Sequence, residues 1–236
     1  IATNEEVNIT IPSTVKSIGA YNLSNTTNRK VTIYYDGSIK DWITLCEDSS
    51  QISTSSNKVY FKNELGEYEL LTNVIIPDDV EKISKNSFTE FDTLVNITIP
   101  NTVKEIGSNA FKNLSNLENI YFNGTLTDWL NISFENMYAN PTSTNANFYL
   151  LNEEGTYISL KDIVIPKEIT KINPYAFYNL SSLTSVVVED NVEEIGFAAF
   201  GNCQSLTNIK IPFVGQKVGQ NEFFGYIFGA QSYYDN

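Results

Sequence analysis

Residues 97–120, read as ITIPNTVKEIGSNAFKNLSNLENI, decide the fold of this chain. Their apolar side chains follow neither the strand period of two nor the helix period of about 3.6 for long, and the pattern starts again at Ile120. A segment that changes its periodicity and then recurs is typical of one turn, or coil, of a repeat protein. The sequence therefore predicts a solenoid built from coils of this kind.

Segments similar to the opening Ile-Thr-Ile recur along the chain and predict eight strands of one parallel ladder. The steps between their first residues are 24, 41, 23, 23, 43, 23 and 23, so long coils interrupt the series of short ones. Proline directly follows five of these segments, where a strand can end without removing an N–H that a neighbouring strand needs. Residues 109–114 are expected to form a short helical or 3-10 turn with Ala110 and Phe111 pointing inward. The predicted strand segments begin at Ile9, Ile33, Val74, Ile97, Ile120, Ile163, Val186 and Ile209.

The two longer steps match each other and reveal a superrepeat of about 88 residues. Trp42 and Trp129 lie 87 residues apart, and Gly66 and Gly155 lie 89 residues apart. Each glycine suits the left-handed position of a three-residue hairpin loop, so each long coil is predicted to contain a β-hairpin. The predicted hairpin strands are residues 59–63 with 67–71 and residues 148–152 with 156–160.

The repeated unit reads L-x-x-I-x-I-P-x-x-V-x-x-I-x-x-x-A-F-x-x in residues 94–113 and, with Glu189 in place of the proline, in residues 183–202. This unit resembles the BspA-type leucine-rich repeat, and GNCQSLTNIKIP in residues 201–212 is its most specific match. The resemblance covers essentially the whole chain. It implies a bacterial surface protein, secreted or attached to the cell wall, that adheres to a host or bacterial surface protein or glycan. The resemblance brings no catalytic residues.

The predicted fold is thus an α/β-type, right-handed leucine-rich-repeat solenoid with a parallel concave sheet, short helical or 3-10 arcs and two inserted long coils that contain hairpins. One domain is expected over residues 1–236, with superrepeats at 9–96 and 97–185 followed by a partial repeat and aromatic tail at 186–236. Residues 22–30 depart from the repeat pattern. Because the tail lacks the polar capping repeat that ends natural arrays, we expect it to continue into a longer chain.

Composition excludes several classes of function. The chain carries 15 basic and 28 acidic side chains, a net charge of 15 − 28 = −13, which disfavours nucleic acid because affinity for it depends on neutralising phosphates. The sequence has no histidine, no glycine-rich phosphate loop and no run of about 18 apolar residues, so no metal site, cofactor or membrane insertion is predicted. Cys46 and Cys203 are expected to be free thiols. We expect a monomer.

The predicted recognition surface is the concave face of the ladder. In each strand, the residue between two inward side chains faces outward, by the period of two. Adjacent strands lie about 4.8 Å apart, so eight of them would present a surface on the order of 35 Å long. This face is partly apolar, as a recognition surface is, although the hairpins are an alternative covering for it. The predicted binding residues are Thr10, Tyr34, Ile75, Thr98, Tyr121, Val164, Val187 and Lys210.

Two other features have a structural interpretation that we favour over a functional one. Trp42 and Trp129 recur at one register and are expected to fill the long coils rather than to stack on a ligand. The densest acidic group lacks the spacing of a calcium loop and is interpreted as a solvated surface. That group consists of Glu189, Asp190, Glu193 and Glu194.

Three hypotheses for function follow. The leading one is a non-enzymatic, extracellular binding or adhesion module that recognises a protein or glycan through the solenoid surface. The alternative is a structural spacer in a bacterial surface stalk, with no specific ligand. A glycan hydrolase that uses paired carboxylates is the least favoured, because the 28 acidic residues sit mostly at solvent-facing positions of the repeat.

Overall fold

The computed structural model of the chain describes residues 6–18, 30–48, 58–63, 65–152 and 154–230. Of the features predicted from sequence, most of the departing segment, at residues 22–29, lies outside the described residues. The end of the aromatic tail, at residues 231–236, also lies outside them.

Short strands make up most of the regular structure within the described residues. In chain order they are β1 (Glu6–Ile11), β2 (Lys30–Tyr35), β3 (Lys58–Lys62), β4 (Tyr68–Leu70), β5 (Asn73–Ile75), β6 (Lys82–Ile83), β7 (Asn96–Pro100), β8 (Glu105–Ile106), β9 (Asn119–Asn123), β10 (Ser133–Phe134), β11 (Asn147–Leu151), β12 (Tyr157–Ser159), β13 (Asp162–Val164), β14 (Lys171–Ile172), β15 (Ser185–Val187), β16 (Glu194–Ile195) and β17 (Asn208–Lys210). The helical elements described are α1 (Ile39–Asp48), α2 (Leu126–Leu130) and the 3-10 helices Pro141–Ser143 and Phe224–Phe228.

The parallel ladder is divided into three sheets, which corrects the prediction of eight adjacent strands. The sheets run β1-β2-β3-β4, β5-β7-β9-β11-β12 and β13-β15-β17. All pairs are parallel except β3 with β4 and β11 with β12, which are the two predicted hairpins. The first strand of each hairpin adds a rung to the ladder, and its return strand then ends that sheet. The eight predicted strand segments all lie in strands, but the outward face is not continuous.

A second ladder of two-residue strands runs beside the first and was not predicted. β6, β8 and β10 pair in parallel, as do β14 and β16. The turn that follows β8 is not the predicted helical or 3-10 arc. Asn109 and Asn113 have φ of 59° and 59°, so this segment is a pair of turns with left-handed residues. Asparagine tolerates that conformation better than most residues, which explains its recurrence here.

The core confirms the inward residues expected from the repeat. Ala110 and Phe111 are fully buried, and the phenylalanines of successive coils stack face to face, as Phe177 does on Phe200 with ring centroids 5.5 Å apart. Trp42 and Trp129 are also fully buried, one in α1 and the other in α2. The interpretation of both indoles as core residues of the long coils is therefore confirmed.

The hairpin loops show why glycine recurs in them. In the first loop the Asn63 side chain accepts hydrogen bonds from Leu65 N at 3.0 Å and from Glu67 N at 2.9 Å. Gly66 then reverses the chain with φ of 82°, and Gly155 has φ of 73° in the second loop. Glycine reaches this region without the steric cost that a Cβ imposes, so the predicted loop geometry is confirmed.

The boundary between α2 and β13, which we call the junction, is held together differently from neighbouring strands inside each sheet. Within the described residues, no main-chain hydrogen bond joins residues 126–148 to residues 162–183. Side chains donate instead: Trp129 Nε1 to Ala176 O at 2.8 Å and Asn173 Nδ2 to Ile132 O at 2.9 Å. Further donors across the junction are Thr127, Asn140, Thr142 and Asn179.

The described part of the tail forms a further coil. Phe200 N donates to Ile227 O at 2.9 Å and Ala198 N donates to Tyr226 O at 3.1 Å. These bonds repeat the contact that joins Phe177 N to Ala199 O one coil earlier. Ile227 is fully buried, and its carbonyl group accepts where that of Ala199 does one coil earlier.

Candidate functional site

Three tyrosines form a cluster on the outward face of the first sheet. Tyr34 in β2 stacks on Tyr60 in β3, with ring centroids 5.2 Å apart and an interplanar angle of 21°. Tyr68 in β4 meets Tyr34 edge-on at 5.0 Å, so the return strand of the hairpin closes the cluster. We call Tyr34, Tyr60 and Tyr68 the first tyrosine cluster. All three rings are half-buried.

The second sheet repeats this arrangement 87 to 89 residues further along the chain. Tyr121 in β9 stacks on Tyr149 in β11 with ring centroids 5.5 Å apart and an angle of 17°. Tyr157 in β12 approaches Tyr121 at 5.0 Å and remains 40% exposed. Tyr121, Tyr149 and Tyr157 are the second tyrosine cluster. Its aromatic packing matches the first, so the two superrepeats present the same motif twice.

Polar contacts fix the outermost ring in each cluster and differ in charge. The Tyr68 hydroxyl donates to Asp36 Oδ1 at 2.5 Å, and Lys62 Nζ lies 3.4 Å from the same oxygen and 5.5 Å over the Tyr68 ring. The hydrogen bond from Tyr68 is the main cause that lowers the pKa of Asp36. In the second cluster the Tyr157 hydroxyl donates to the neutral amide oxygen of Asn123. The first cluster therefore carries an ion pair at its edge, while the equivalent contact in the second is uncharged.

The structure brings the eight predicted binding residues onto outward positions but on three separate sheets. They are aligned in register as Thr10 with Tyr34 in the first sheet, as Ile75, Thr98 and Tyr121 in the second, and as Val164, Val187 and Lys210 in the third. Ile75 is 71% exposed and Val164 is 59% exposed, because each lies in the first strand after a hairpin. Tyr34 and Tyr121 are partly covered by the hairpin tyrosines, as the alternative interpretation allowed.

Sequence reasoning missed four of the six cluster tyrosines. Tyr60 and Tyr149 lie on the first hairpin strands, which were not predicted to join the ladder. Tyr68 and Tyr157 lie on the return strands. The spacing of 89 residues in both pairs was a usable signal, because it places identical residues at one register of the superrepeat.

The acidic residues singled out in the sequence do not converge on one point, and two of them form salt bridges with lysines. Glu189 forms a salt bridge with Lys210 at 3.1 Å, and Glu194 forms one with Lys171 at 3.3 Å. Among the described residues, no three histidine, cysteine, aspartate or glutamate side chains come together in a way that could hold a metal ion.

Cys46 and Cys203 are free, as predicted, and burial raises the pKa of each thiol to about 12.

Parallel strands that recur every 23 residues around a stacked phenylalanine core define the class of protein as a leucine-rich-repeat solenoid. Within this class the chain belongs to the family with a BspA type leucine rich repeat region, which matches residues 3–89, 59–148 and 154–228. This match confirms the resemblance inferred from the repeated unit.

In the part of the chain that the structure describes, no helix is both long and apolar enough to cross a membrane.

Several solved structures are similar to the chain. One is a leucine rich cell surface protein from Faecalibacterium prausnitzii, with 22% identity, a TM-score of 0.41 and coverage of 87% of this chain and 60% of that one. Another is a leucine-rich repeat protein from Eubacterium ventriosum, with 19% identity, a TM-score of 0.39 and coverage of 87% and 66%. The T. pallidum leucine rich repeat protein has 18% identity, a TM-score of 0.33 and coverage of 64% and 77%. This chain thus spans 60% of the length of the Faecalibacterium protein. No curated protein matches the sequence, and none of these likenesses bears on what the chain binds.

Proposed function

We propose that this chain is a non-enzymatic, extracellular binding or adhesion module that recognises a protein or glycan through the outward face of its parallel sheets. The observation that carries the proposal is the pair of tyrosine clusters, which repeat at equivalent registers of the two superrepeats. Tyrosine is enriched in recognition surfaces because its ring buries a large apolar area and its hydroxyl still finds a polar partner. Membership of a family of surface repeat proteins supports the extracellular location.

Two exposed aliphatic side chains recur on the sheet face. Ile75 follows the first hairpin and Val164 follows the second, 164 − 75 = 89 residues later. Both are more than half exposed in a chain that buries most of its large aliphatic residues. Each lies on the first strand of the sheet that follows its hairpin, so it offers a partner apolar area on the sheet face apart from the tyrosine cluster.

Hydrogen bonds lower the pKa of several surface carboxyl groups. Among the described carboxyl groups whose pKa is shifted, each shift is downward, and hydrogen bonding to the carboxylate is its main cause. The four groups with lowered pKa are Asp36, Asp41, Asp79 and Glu168.

A double substitution at the central rings tests the proposal. Tyr34→Ala with Tyr121→Ala removes the ring that joins the other two in each cluster. We expect at least a tenfold loss of affinity in surface plasmon resonance for whichever immobilised probe the parent chain binds, among type I collagen, laminin and mucin. Val218→Ala is the matched control, because Val218 is 78% exposed but lies outside the sheets.

The outcomes separate the hypotheses. Unchanged affinity in the double variant, with an unchanged circular dichroism spectrum, would remove the sheet face from the proposal. Absence of binding to every probe at micromolar protein would favour the structural spacer. Loss of binding in both the double variant and the Val218 control would point to an unspecific surface effect and contradict the assignment to the clusters.

A further inference from the structure

A groove of about 760 Å³ lies on the turn side of the solenoid, away from the tyrosine clusters. It is formed by the insert of the second long coil, the turns of the next two coils and the described end of the tail. Tyr175 meets Tyr178 at 6.2 Å with an angle of 76° and meets Phe197 at 6.0 Å with an angle of 87°. We call this the turn-side groove; its aromatic lining is Tyr138, Tyr175, Tyr178, Phe197 and Phe228.

The rings of the turn-side groove stand edge-on to one another rather than face to face. In an edge-on pair, the face of one ring meets its neighbour's edge, so the pair does not cover both faces of the two rings. All of the lining rings are half-buried, so they are fixed in place and still accessible. The volume lies within the range of about 300 to 1,000 Å³ that is typical of sites for small ligands.

The lining of the groove carries no charge, although the chain has a net charge of −13. Besides the rings, three primary amides and a few small or apolar groups line it. Lys112 Nζ lies 5.5 Å from the centroid of the Tyr138 ring but is not part of the lining. A ligand with a formal charge would find no counter-charge in the lining, so the chemistry favours a neutral ligand. The three amides belong to Asn109, Asn136 and Asn202.

The equivalent turns 89 residues earlier in the chain provide an internal comparison for three of these rings. Subtracting the period of 89 residues places Asn86 at the register of Tyr175, Thr89 at that of Tyr178 and Ser108 at that of Phe197. The main chain follows the same turns in both places, since Asn86 and Tyr175 have φ of 60° and 63°. The scaffold therefore forms with small polar residues at these positions, and the aromatic set of the groove is not needed for the fold.

Tyr175 occupies a conformation that suits the asparagine of the first superrepeat better. At φ of 63° it lies in the left-handed region, which disfavours residues with a bulky side chain. Strained residues of this kind persist when the surrounding structure holds them, and they cluster at functional sites. Here Asn140 Nδ2 donates to Tyr175 O at 2.8 Å and Thr142 Oγ1 donates to Tyr178 O at 2.6 Å.

Glycine makes room for the central ring of the groove. A Cβ added at Gly201 would lie 2.8 Å from Cδ2 of Tyr178, which is closer than real side chains approach. The Tyr178 ring therefore lies directly over the main chain at Gly201. Burial, with the neighbouring Tyr138 and Tyr175, raises the pKa of Tyr178, so its hydroxyl stays protonated and able to donate at neutral pH.

From these observations we infer that the turn-side groove is a binding site for a neutral glycan, separate from the sheet face. The open ring faces would pack against the C–H faces of sugar rings, as aromatic side chains do with apolar groups. The primary amides and the phenol hydroxyls both donate and accept hydrogen bonds, which matches sugar hydroxyls. A proline-rich peptide would also fit against aromatic rings, but its backbone carbonyls only accept, so the donor and acceptor lining favours the glycan.

The test exchanges the three rings for the residues at the equivalent turns 89 residues earlier. The variant Tyr175→Asn/Tyr178→Thr/Phe197→Ser is expected to fold, because the same residues occupy the same turns at 86, 89 and 108. Isothermal titration calorimetry is run with cellotetraose, maltotetraose, chitotetraose and galactotetraose as neutral probes, with 3′-sialyllactose as an anionic probe and with decaproline. We expect the parent chain to bind at least one neutral probe and the exchanged variant to lose at least tenfold in affinity.

Two further variants keep the test decisive if the triple exchange affects folding. Gly201→Ala retains every ring but displaces Tyr178, so it should weaken binding, whereas Val218→Ala, outside both the groove and the sheets, should leave it unchanged. The inference is overturned if no neutral probe binds at 10 mM probe, roughly the weakest affinity of a useful site. It is equally overturned if only sialyllactose or decaproline binds, or if the exchanged variant binds like the parent. None of these results would affect the proposal for the tyrosine clusters.

Discussion

The variants Trp42→Phe and Trp129→Phe form a matched pair whose stabilities should differ because of one carbonyl group. Both indoles are fully buried, and each contacts three aromatic rings with centroids between 4.5 and 5.7 Å away. Each also donates from Nε1 to a main-chain oxygen of a later coil, Ser87 O at 2.7 Å and Ala176 O at 2.8 Å. The substitution removes the same atoms and the same donor from both sites.

The two accepting carbonyl groups differ in the hydrogen bonds that they keep after the substitution. Ala176 O also accepts from Asn140 Nδ2 at 3.2 Å, so it keeps a partner in Trp129→Phe. Within the described residues, Ser87 O accepts from Trp42 alone, and Ser87 is fully buried. Among the described residues, Trp42→Phe therefore leaves Ser87 O without a hydrogen-bond donor, whereas Trp129→Phe leaves Asn140 as a donor to Ala176 O.

The magnitudes follow from these contacts. Removing part of a buried indole costs about 2 kcal/mol in either variant, through lost burial and the cavity that remains. A buried carbonyl left unsatisfied costs about 1–3 kcal/mol more, and this term applies to Trp42→Phe only. For a chain of this size about 1 kcal/mol corresponds to roughly 2–4 °C in Tm, so a difference of about 2 kcal/mol predicts Trp42→Phe melting roughly 4–8 °C below Trp129→Phe.

Thermal unfolding followed by far-ultraviolet circular dichroism measures both variants with one probe. Each variant retains one indole, so tryptophan fluorescence also reports on the superrepeat that was not altered. Equal melting temperatures, or a lower one for Trp129→Phe, would refute the argument from the carbonyl groups. A parent-like Tm for both variants would refute the assigned burial as well.

The remaining predictions concern the turns, the first tyrosine cluster and the buried thiol. Gly196→Ala should destabilise the chain more than Gly155→Ala in urea unfolding, because a Cβ at Gly196 would lie 2.3 Å from a backbone nitrogen of the preceding coil, whereas at Gly155 a Cβ would meet nothing within 4 Å and would cost only the strain of a φ of 73°. An equal effect would contradict the steric argument. Since the pKa of Asp36 is lowered in the folded state, its contact with Tyr68 stabilises the fold above the unfolded pKa and loses this effect as pH falls through the folded value. Tyr68→Phe should raise the Asp36 pKa in an NMR titration of its carboxyl carbon, and an unchanged pKa would exclude the hydrogen bond as the cause. Cys46, whose pKa burial raises to about 12, should react with a thiol reagent at pH 8 only after denaturation, and fast reaction of the folded chain would contradict its burial.

The repeat register was predictable because each inward position recurs with the same residue type. All eight predicted strand segments lie in strands, and the inward places of Ile97, Phe111 and Trp129 are confirmed. What the register could not show was how a long coil divides. The step of 41 residues consists of 26 from Ile33 to Val59 and 15 from Val59 to Val74, and only the first part completes a coil.

Short elements were also beyond the reach of periodicity. β8 is two residues long, so it shows no alternation, and its pairing depends on neighbours from other coils. Asn109 and Asn113 are four residues apart, as on one face of a helix, yet each is left-handed. The spacing alone does not distinguish these two conformations. For the candidate site, Tyr34 and Tyr121 were found from their strands. The spacing of 89 residues marked their hairpin partners as equivalent positions, but only the pairing of the strands shows that these rings contact Tyr34 and Tyr121.

The side-chain bonds at the junction have a mechanical consequence when the chain is stretched. Inside each sheet, main-chain ladders distribute tension over many bonds, whereas at the junction tension falls on side-chain bonds such as that of Trp129. We expect stretching in optical tweezers to release the chain in steps of one sheet with its coils, which for the second sheet means residues 73–159 and roughly 30 nm of contour length, rather than in coils of about 8 nm. Steps of the smaller size would show that the junction resists force as well as the ladders do. The sheet with its coils is then the unit in which this solenoid yields to load.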